Sequence, residues 1–423
     1  MIYVCTCAAV NYLPKARVMC SSLKRYHPEF EVHLVLVDKI PEWLDPKSEP
    51  FDSVITLEQL GIPNLRSWIF RYSVLEMCTG VKPFALRSLL DKPDCEGVFY
   101  FDPDIAFFSR LDDLVQELKE NSILLIPHQT KPERTHEAIW DNEICSLKYG
   151  IFNLGFIGVR NDEEARAFLN WWADRLDRFC WAELEQGLWT DQKWVNFAPV
   201  FFEGVKIIKS SRFNVAPWNL TTRNLQGSVE EGLTVDGEPL GFYHFTGFDS
   251  GAHEIMALKY APGNKAVRSL IQWYKTIIKE DKRAASTPWG YADCMTFENG
   301  QPITPAHRII YKRRRDLQEA YPDPFAVVEG GQCYYNWFRW RAALEHPEIV
   351  ESQSEQVTLV LHRGKFGFNW YRIWKHLKKA LTNPGYGIYL CKMVRSILKV
   401  EGWQGLKNRL FVGGVDKNPK KEH

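Results

Sequence analysis

Residues 1–38 read MIYVCTCAAVNYLPKARVMCSSLKRYHPEFEVHLVLVD. Residues 2–9 form an apolar run with β-branched and aromatic members, the pattern of a buried strand. Residues 14–26 switch to helical spacing, with Ala16, Met19, Cys20 and Leu23 on one face. Pro14 suits a first helical turn, and His27-Pro28 closes the segment. Residues 32–37 are a second buried strand ending at Asp38. A strand, a helix and a parallel strand in so short a span make a βαβ unit, which predicts a doubly wound α/β sheet.

Further along the chain, residues 54–57 suit a third short strand, and 67–79 and 82–91 are helical in pattern. Residues 97–102 (GVFYFD) form a strand that runs straight into Asp102-Pro103-Asp104. A short helix is expected at 111–120, strands at 122–126 and 152–159, and a long helix at 162–180. Asp162, Glu163 and Glu164 open that helix, where carboxylates meet unpaired amides. A further helix is expected at 265–281, followed by a linker-like stretch rich in Ser, Thr, Pro and Gly at 283–305. No internal repeat or low-complexity tract interrupts this order.

With 45% apolar and 25% charged residues among 423, the composition excludes a wholly disordered chain. The 16 Trp and the 14% aromatic content suit a protein that grips flat ligands or a membrane interface. A formal net charge of +1 argues against a nucleic-acid-coating protein. That sum is a cancellation. Residues 361–423 carry 14 Lys/Arg and 3 Asp/Glu, a net of +11, and the first 360 carry a net of −10. The ten cysteines are scattered, and only Cys5 and Cys7 lie close together, so neither a zinc set nor a disulfide framework is expected. No basic segment precedes the first apolar run, and no stretch of about 18 apolar residues occurs. A cytoplasmic chain without a transmembrane helix is expected.

Four constellations carry chemistry. Asp102 and Asp104 follow a buried strand, where ligands gather in open α/β sheets. Two carboxylates so close repel unless a cation lies between them, and a divalent ion bridging to a diphosphate meets that need. The plain alternative is an acidic turn. His244, in Gly241-Phe242-Tyr243-His244-Phe245-Thr246-Gly247, ends a short strand beside a glycine turn. As a third ligand it would favour Mn²⁺ over Mg²⁺; as a structural residue it would be a hydrogen-bonded core histidine. Asn153, in Phe152-Asn153-Leu154-Gly155, marks either a β-bulge or an amide aimed at a sugar hydroxyl, with Gly155 leaving room. Asp191-Gln192 either caps a short helix, with Thr190, or faces a reacting sugar.

Taken in order, these residues resemble a GT-A-fold glycosyltransferase of the retaining family 8 type. The set comprises the Asn11-Tyr12 turn, Asp38, Lys82-Pro83, Tyr100-Phe101-Asp102-Pro103-Asp104, Phe152-Asn153-Leu154-Gly155, Asp191-Gln192 and His244-Phe245-Thr246-Gly247. The resemblance covers about residues 1–260 and is strongest to bacterial enzymes that build lipopolysaccharide and other surface glycans. It implies a GT-A-type, Rossmann-like sheet with flanking helices, and a metal-dependent transfer of sugar from a nucleotide-sugar donor to a glycan acceptor, lipid-linked or on a surface polysaccharide. It assigns Asp102, Asp104 and His244 to Mn²⁺ (or Mg²⁺). Ala8, Asn11, Tyr12 and Asp38 would hold the nucleoside, Lys82 would stand near the donor, and Gly247 would face the diphosphate. Asn153, Asp191 and Gln192 would lie at the reacting sugar. Two departures stand out: Ala9 and Val10 replace an acidic residue before the turn, and Phe248-Asp249-Ser250 replaces Lys-Pro-Trp, with Lys259 a candidate substitute.

Transfer is expected with retention; were it inverting, Asp191 would be the base. The expected organisation is a catalytic domain at 1–282, an aromatic and turn-rich accessory segment at 283–360, and a helical basic extension at 361–423. In that extension Trp370, Ile373, Trp374 and Leu377 share one face and lysines and arginines the other, which suits an anionic membrane surface on the inner face of the membrane. The basic cluster of Arg308 and Lys312 to Arg315 suits a solvated helix face. Rival readings are a haloacid-dehalogenase-like phosphatase, which also uses Asp-x-Asp after a strand, and a non-catalytic nucleotide-sugar-binding protein. A nucleic-acid module in the tail fits least well, because its basic residues alternate with aliphatic faces.

Overall fold

The computed structural model describes residues 1–278 and 295–350. They fall into two units, one of Met1–Ile303 with Tyr311–Tyr335 and one of Thr304–Ile310 with the residues from Asn336 onward. The expected boundaries near 282 and 360, and the whole basic extension, lie outside the described residues. All the site residues belong to the first unit.

That unit is built on a seven-stranded sheet in the order β3-β2-β1-β4-β7-β6-β8. The strands are β1 (Ile2–Ala8), β2 (Glu31–Leu36), β3 (Ser53–Thr56), β4 (Gly97–Phe101), β6 (Ile123–Pro127), β7 (Phe152–Arg160) and β8 (Val205–Ile207). The first βαβ unit forms as expected: β1 pairs in parallel with β2, and α1 (Leu13–Tyr26) connects them. β7 alone runs opposite to its neighbours β4 and β6. This is the α/β sheet with flanking helices expected from the sequence.

Side chains alternate across each strand, so the sheet has two covered faces. Val4, Ala8, Leu34, Phe99 and Phe101 face a core completed by α1 and by α5 (Asp112–Glu120), which contributes Leu114 and Leu118. α4 (Lys82–Leu90) contacts β1 and β4 and packs against the helix Glu163–Phe179. Asp162 caps that helix by accepting from Ala165 N–H at 2.8 Å.

One expected helix divides. Residues 67–79 form α2 (Leu65–Arg71) and α3 (Val74–Gly80), separated at Tyr72-Ser73. Ser73 and Glu76 bond each other's backbone amides, a reciprocal cap that starts a new helix. The register of β7 against β6 shifts between its pairing with Leu125 and with Pro127, so the irregularity expected at Asn153–Gly155 is present.

The topology brings distant segments to one edge. β1 and β4 run parallel, so Ala8 and Asp102 leave the sheet on the same side. β7 enters the sheet there because it runs the other way; the Asp102 N–H donates to Gly155 O at 2.8 Å. A second, two-stranded sheet pairs β5 (Ile105–Phe107) with Phe242–His244, placing His244 opposite Ile105.

A candidate metal and nucleotide-sugar site

Asp102 and Asp104 flank Pro103 in a turn closed by Ile105 N–H donating to Asp102 O at 3.2 Å. Phe245 N–H donates to Asp104 O at 2.8 Å, which locks the acidic turn to the histidine strand. His244 Nε2 consequently lies 3.0 Å from Asp104 Oδ1 and 3.8 Å from Asp102 Oδ2. One donor atom from each of the three residues falls within 4.8 Å of the others. Tyr100 donates its hydroxyl to Asp102 Oδ1 at 2.7 Å and orients that carboxylate.

His244 is buried, and burial disfavours its charge, but the Asp104 and Asp102 carboxylates outweigh this and raise its pKa. Burial acts on Asp104 in the opposite sense to its partner, and His244 prevails, lowering it. A divalent ion would compete with a proton for these groups. Carboxylate oxygens with one imidazole nitrogen are a donor set for Mn²⁺ or Mg²⁺, so the residues present fit such an ion.

Lys82, at the first position of α4, is buried beneath the turn. Its Nζ lies 2.9 Å from Asp191 Oδ2 and 3.4 Å from Asp102 Oδ1, donates to Leu154 O at 2.8 Å, and sits over the Tyr100 ring. Burial opposes its charge, yet the two carboxylates raise its pKa. Asp191 is buried as well; desolvation raises its pKa and Lys82 opposes the rise. Thr190 Oγ1 donates to Asp191 Oδ1 at 2.9 Å, and Trp172 Nε1 to its carbonyl at 3.3 Å. Thr190 has φ +43, rare for a β-branched residue, so the segment is a strained turn, not a helix cap. With His244 neutral, Asp102, Asp104 and Asp191 against Lys82 leave a net charge of −2.

Two adjoining cavities meet at this cluster, sharing Lys82, Asp102, His244 and Gly247. The smaller, of about 260 Å³, is lined by Ala8, Asn11 and Tyr12 among others. The larger, of about 740 Å³, is lined by Asn153, Asp191, Gln192, Tyr149, Trp189 and Trp218 among others. The expected site residues thus come together, except that Asp38 is not among the residues lining either cavity. It is buried after β2, where desolvation raises its pKa to about 6 although it accepts from the Val10 and Lys39 amides.

The amides prove to be occupied by the protein itself. Asn153 pairs with His128 Nε2 at 3.1 Å and accepts from Gly155 N–H at 3.1 Å. Gln192 accepts from Leu154 N–H and donates to Tyr149 O, each at 3.1 Å. Gly247, at φ +67, turns the chain ahead of the helix Ala252–Tyr260. Lys259 does not line either cavity; it pairs with Glu137 and Asp141. Asp249 is neutralised by Lys15 at 2.6 Å, which also lies over the Tyr12 ring. Lys15, Asn214 and His128 are not among the residues that the sequence pattern marks. Only Lys15, one turn beyond Tyr12 on the same helix start, carried a local signal.

No family model matches the chain. An uncharacterised protein of Bacillus subtilis strain 168, YfnD, is 28% identical over 247 residues, spanning 57% of this chain and 76% of its own. Among solved structures, the fold is similar to the galactosyltransferase LgtC in complex with donor and acceptor sugar analogues, at 17% identity and TM-score 0.40 over 68% of this chain and 97% of that one. It is also similar to the glycosyltransferase GlyE of Streptococcus pneumoniae TIGR4, at 16% identity and TM-score 0.38 over 65% of this chain and 64% of that one.

Proposed function

We propose that this chain is a metal-dependent glycosyltransferase of the retaining family 8 type, acting on a nucleotide-sugar donor and a glycan acceptor. The observation that carries this is the Asp102/Asp104/His244 set at the junction of two cavities. A nucleoside would occupy the smaller cavity against Ala8, Asn11 and Tyr12. The diphosphate would cross the junction beside Gly247, and the sugar and acceptor would fill the larger cavity.

The metal, Mn²⁺ or Mg²⁺, would be held by Asp102, Asp104 and His244 and would neutralise charge gathering on the leaving diphosphate. The remaining work falls to the protein. Lys82 holds Asp102 and Asp191 in place and offsets one of their two charges. Gln192, fixed between Leu154 and Tyr149, would present its amide oxygen below the sugar carbon as positive charge develops there. Trp189, Tyr149 and Trp218 supply apolar faces for sugar rings and shield the reaction from water. Asp191 commits both oxygens to Lys82 and Thr190, which makes it a poor general base. That supports retention, with the acceptor proton passing to a leaving phosphate oxygen. It also disfavours inversion through Asp191. The phosphatase alternative is not favoured, because His244 completes the acidic pair where a phosphatase would bring a second acidic pair.

The lipid-linked acceptor, and the contact of residues 361–423 with an anionic membrane, are part of the same proposal and rest on the net charge of +11 there. The test is a panel of nucleotide sugars with Mn²⁺, read by donor hydrolysis and thermal stabilisation. Response to one donor, abolished in Asp104→Ala with the fold retained, supports the reading. Indifference to every donor removes it, and a product anomer opposite to the donor's removes retention. Loss of binding to anionic vesicles on truncation after residue 360 tests the membrane arm.

A further inference from the structure

His244 can offer Nε2 to an ion only if its ring proton sits on Nδ1. A neutral imidazole carries one proton and two competing sites for it, so something must choose. On the Nδ1 side of the ring lies Asn214, whose Oδ1 is 3.2 Å away. Asn214 is completely buried. An amide oxygen only accepts, so once Nε2 is given to an ion in place of its contact with Asp104, the Asn214 contact holds the ring proton on Nδ1.

The backbone is built to make that contact. Asn214 has φ +53, a region that L-residues avoid and that asparagine tolerates better than most. The bend is held from both sides. Asn219, itself buried, donates its side-chain amide to Asn214 O at 3.0 Å and accepts from Ala216 N–H at 3.0 Å. Val215 N–H donates to Phe242 O at 3.3 Å, and His244 N–H donates to Val215 O at 2.8 Å. The segment is therefore bridged to the histidine strand one residue beyond Asn214. Trp218 meets the His244 ring edge-on at 5.5 Å and limits its rotation.

We propose that Asn214 is a positioning residue for metal capture: it sets the ring form and orientation in which His244 completes the Asp102/Asp104 donor set. The inference rests on the metal reading of that set. An oriented acceptor behind a ligating histidine typically changes metal affinity by about 10–100-fold. Asn214→Gly keeps the left-handed backbone and removes the whole amide, acceptor included, so it should weaken Mn²⁺ binding by about that factor. Asn214→Asp keeps an acceptor oxygen and should stay within a few-fold of the original chain.

The experiment is a titration of the full chain with Mn²⁺ alone, followed by electron paramagnetic resonance of the free ion. The original chain, Asn214→Gly, Asn214→Asp and Asp104→Ala are compared, with far-ultraviolet circular dichroism and metal-free melting to check the fold. Weak binding in Asn214→Gly with recovery in Asn214→Asp supports the inference, and equal affinity in Asn214→Gly and the original chain overturns it. If the original chain binds Mn²⁺ no better than Asp104→Ala, the metal reading itself falls and takes this inference with it. Nitrogen resonances of the His244 ring in the original chain saturated with diamagnetic Mg²⁺ give an answer that no variant's folding affects: a proton found on Nε2 overturns the proposal.

Discussion

At the scale of single residues, Gly155 shows how a motif can be noticed and misjudged. The sequence marks it as a break in an apolar strand, with room for a sugar as the functional reading. A Cβ built there would lie 2.5 Å from His244 Cε1 and 2.7 Å from Asn153 Oδ1. The space belongs to the imidazole. Gly155→Ala should therefore displace His244 and weaken Mn²⁺ binding at least about tenfold, measured by the same titration, with the chain still folded. Asp38 carries a prediction of pH dependence. Burial lifts its carboxyl from 3.8 to about 6, so the folded chain keeps a proton that the unfolded chain has already released. Its contribution to stability is present below about pH 4 and lost as pH rises through about 6. Asp38→Asn keeps an acceptor for the Val10 and Lys39 amides without the charge. It should gain on the order of 1 kcal/mol at about pH 8, after screening, and little at about pH 4, as read by urea denaturation at both values.

At the scale of elements, the start of α4 was legible because proline in a first helical turn is a local signal. What Lys82 does there was not, since its partners Asp102 and Asp191 lie on other elements. A buried ammonium between two carboxylates is sensitive to loss of one member. Lys82→Met should cost about 3–5 kcal/mol, and Lys82→Met with Asp191→Asn should recover much of that loss, again by denaturation. The division of 67–79 into two helices has a similar origin. The apolar pattern runs through Tyr72, and the pairing of Ser73 with Glu76 overrides it. At 312–315 the expected solvated face is only partly present: Lys312 is buried and lies 3.1 Å from both Glu76 and Glu183.

At the scale of the whole molecule, the aromatic excess divides into two uses. Much of it is core. Phe70 meets Tyr311, Phe325 and Tyr334 edge-on at 5.0–5.5 Å, so aromatic residues from the segment expected to be accessory pack on α2. The rest, including Trp189, Tyr149 and Trp218, lines the larger cavity. Surplus negative charge at the junction predicts a global response: saturating Mn²⁺ should raise the melting temperature by a few degrees. Asp104→Ala should abolish that rise, and excess chelator should reverse it; calorimetry reads both.

The order of residues was enough to reveal the βαβ opening, most strand positions, the acidic turn and the candidate histidine. Each of these rests on spacing or on neighbours within a few positions, and local backbone physics acts over that range. Among the described residues, three things emerged only when the chain was folded: which groups neutralise the carboxylates, what orients His244, and why Gly155 has no side chain. Those depend on partners 20 to more than 100 positions apart, brought together by the reversed strand β7 and the pairing of β5 with Phe242–His244. No pattern along the chain encodes that meeting, because it is made by sheet topology and by the requirement that buried charges find partners.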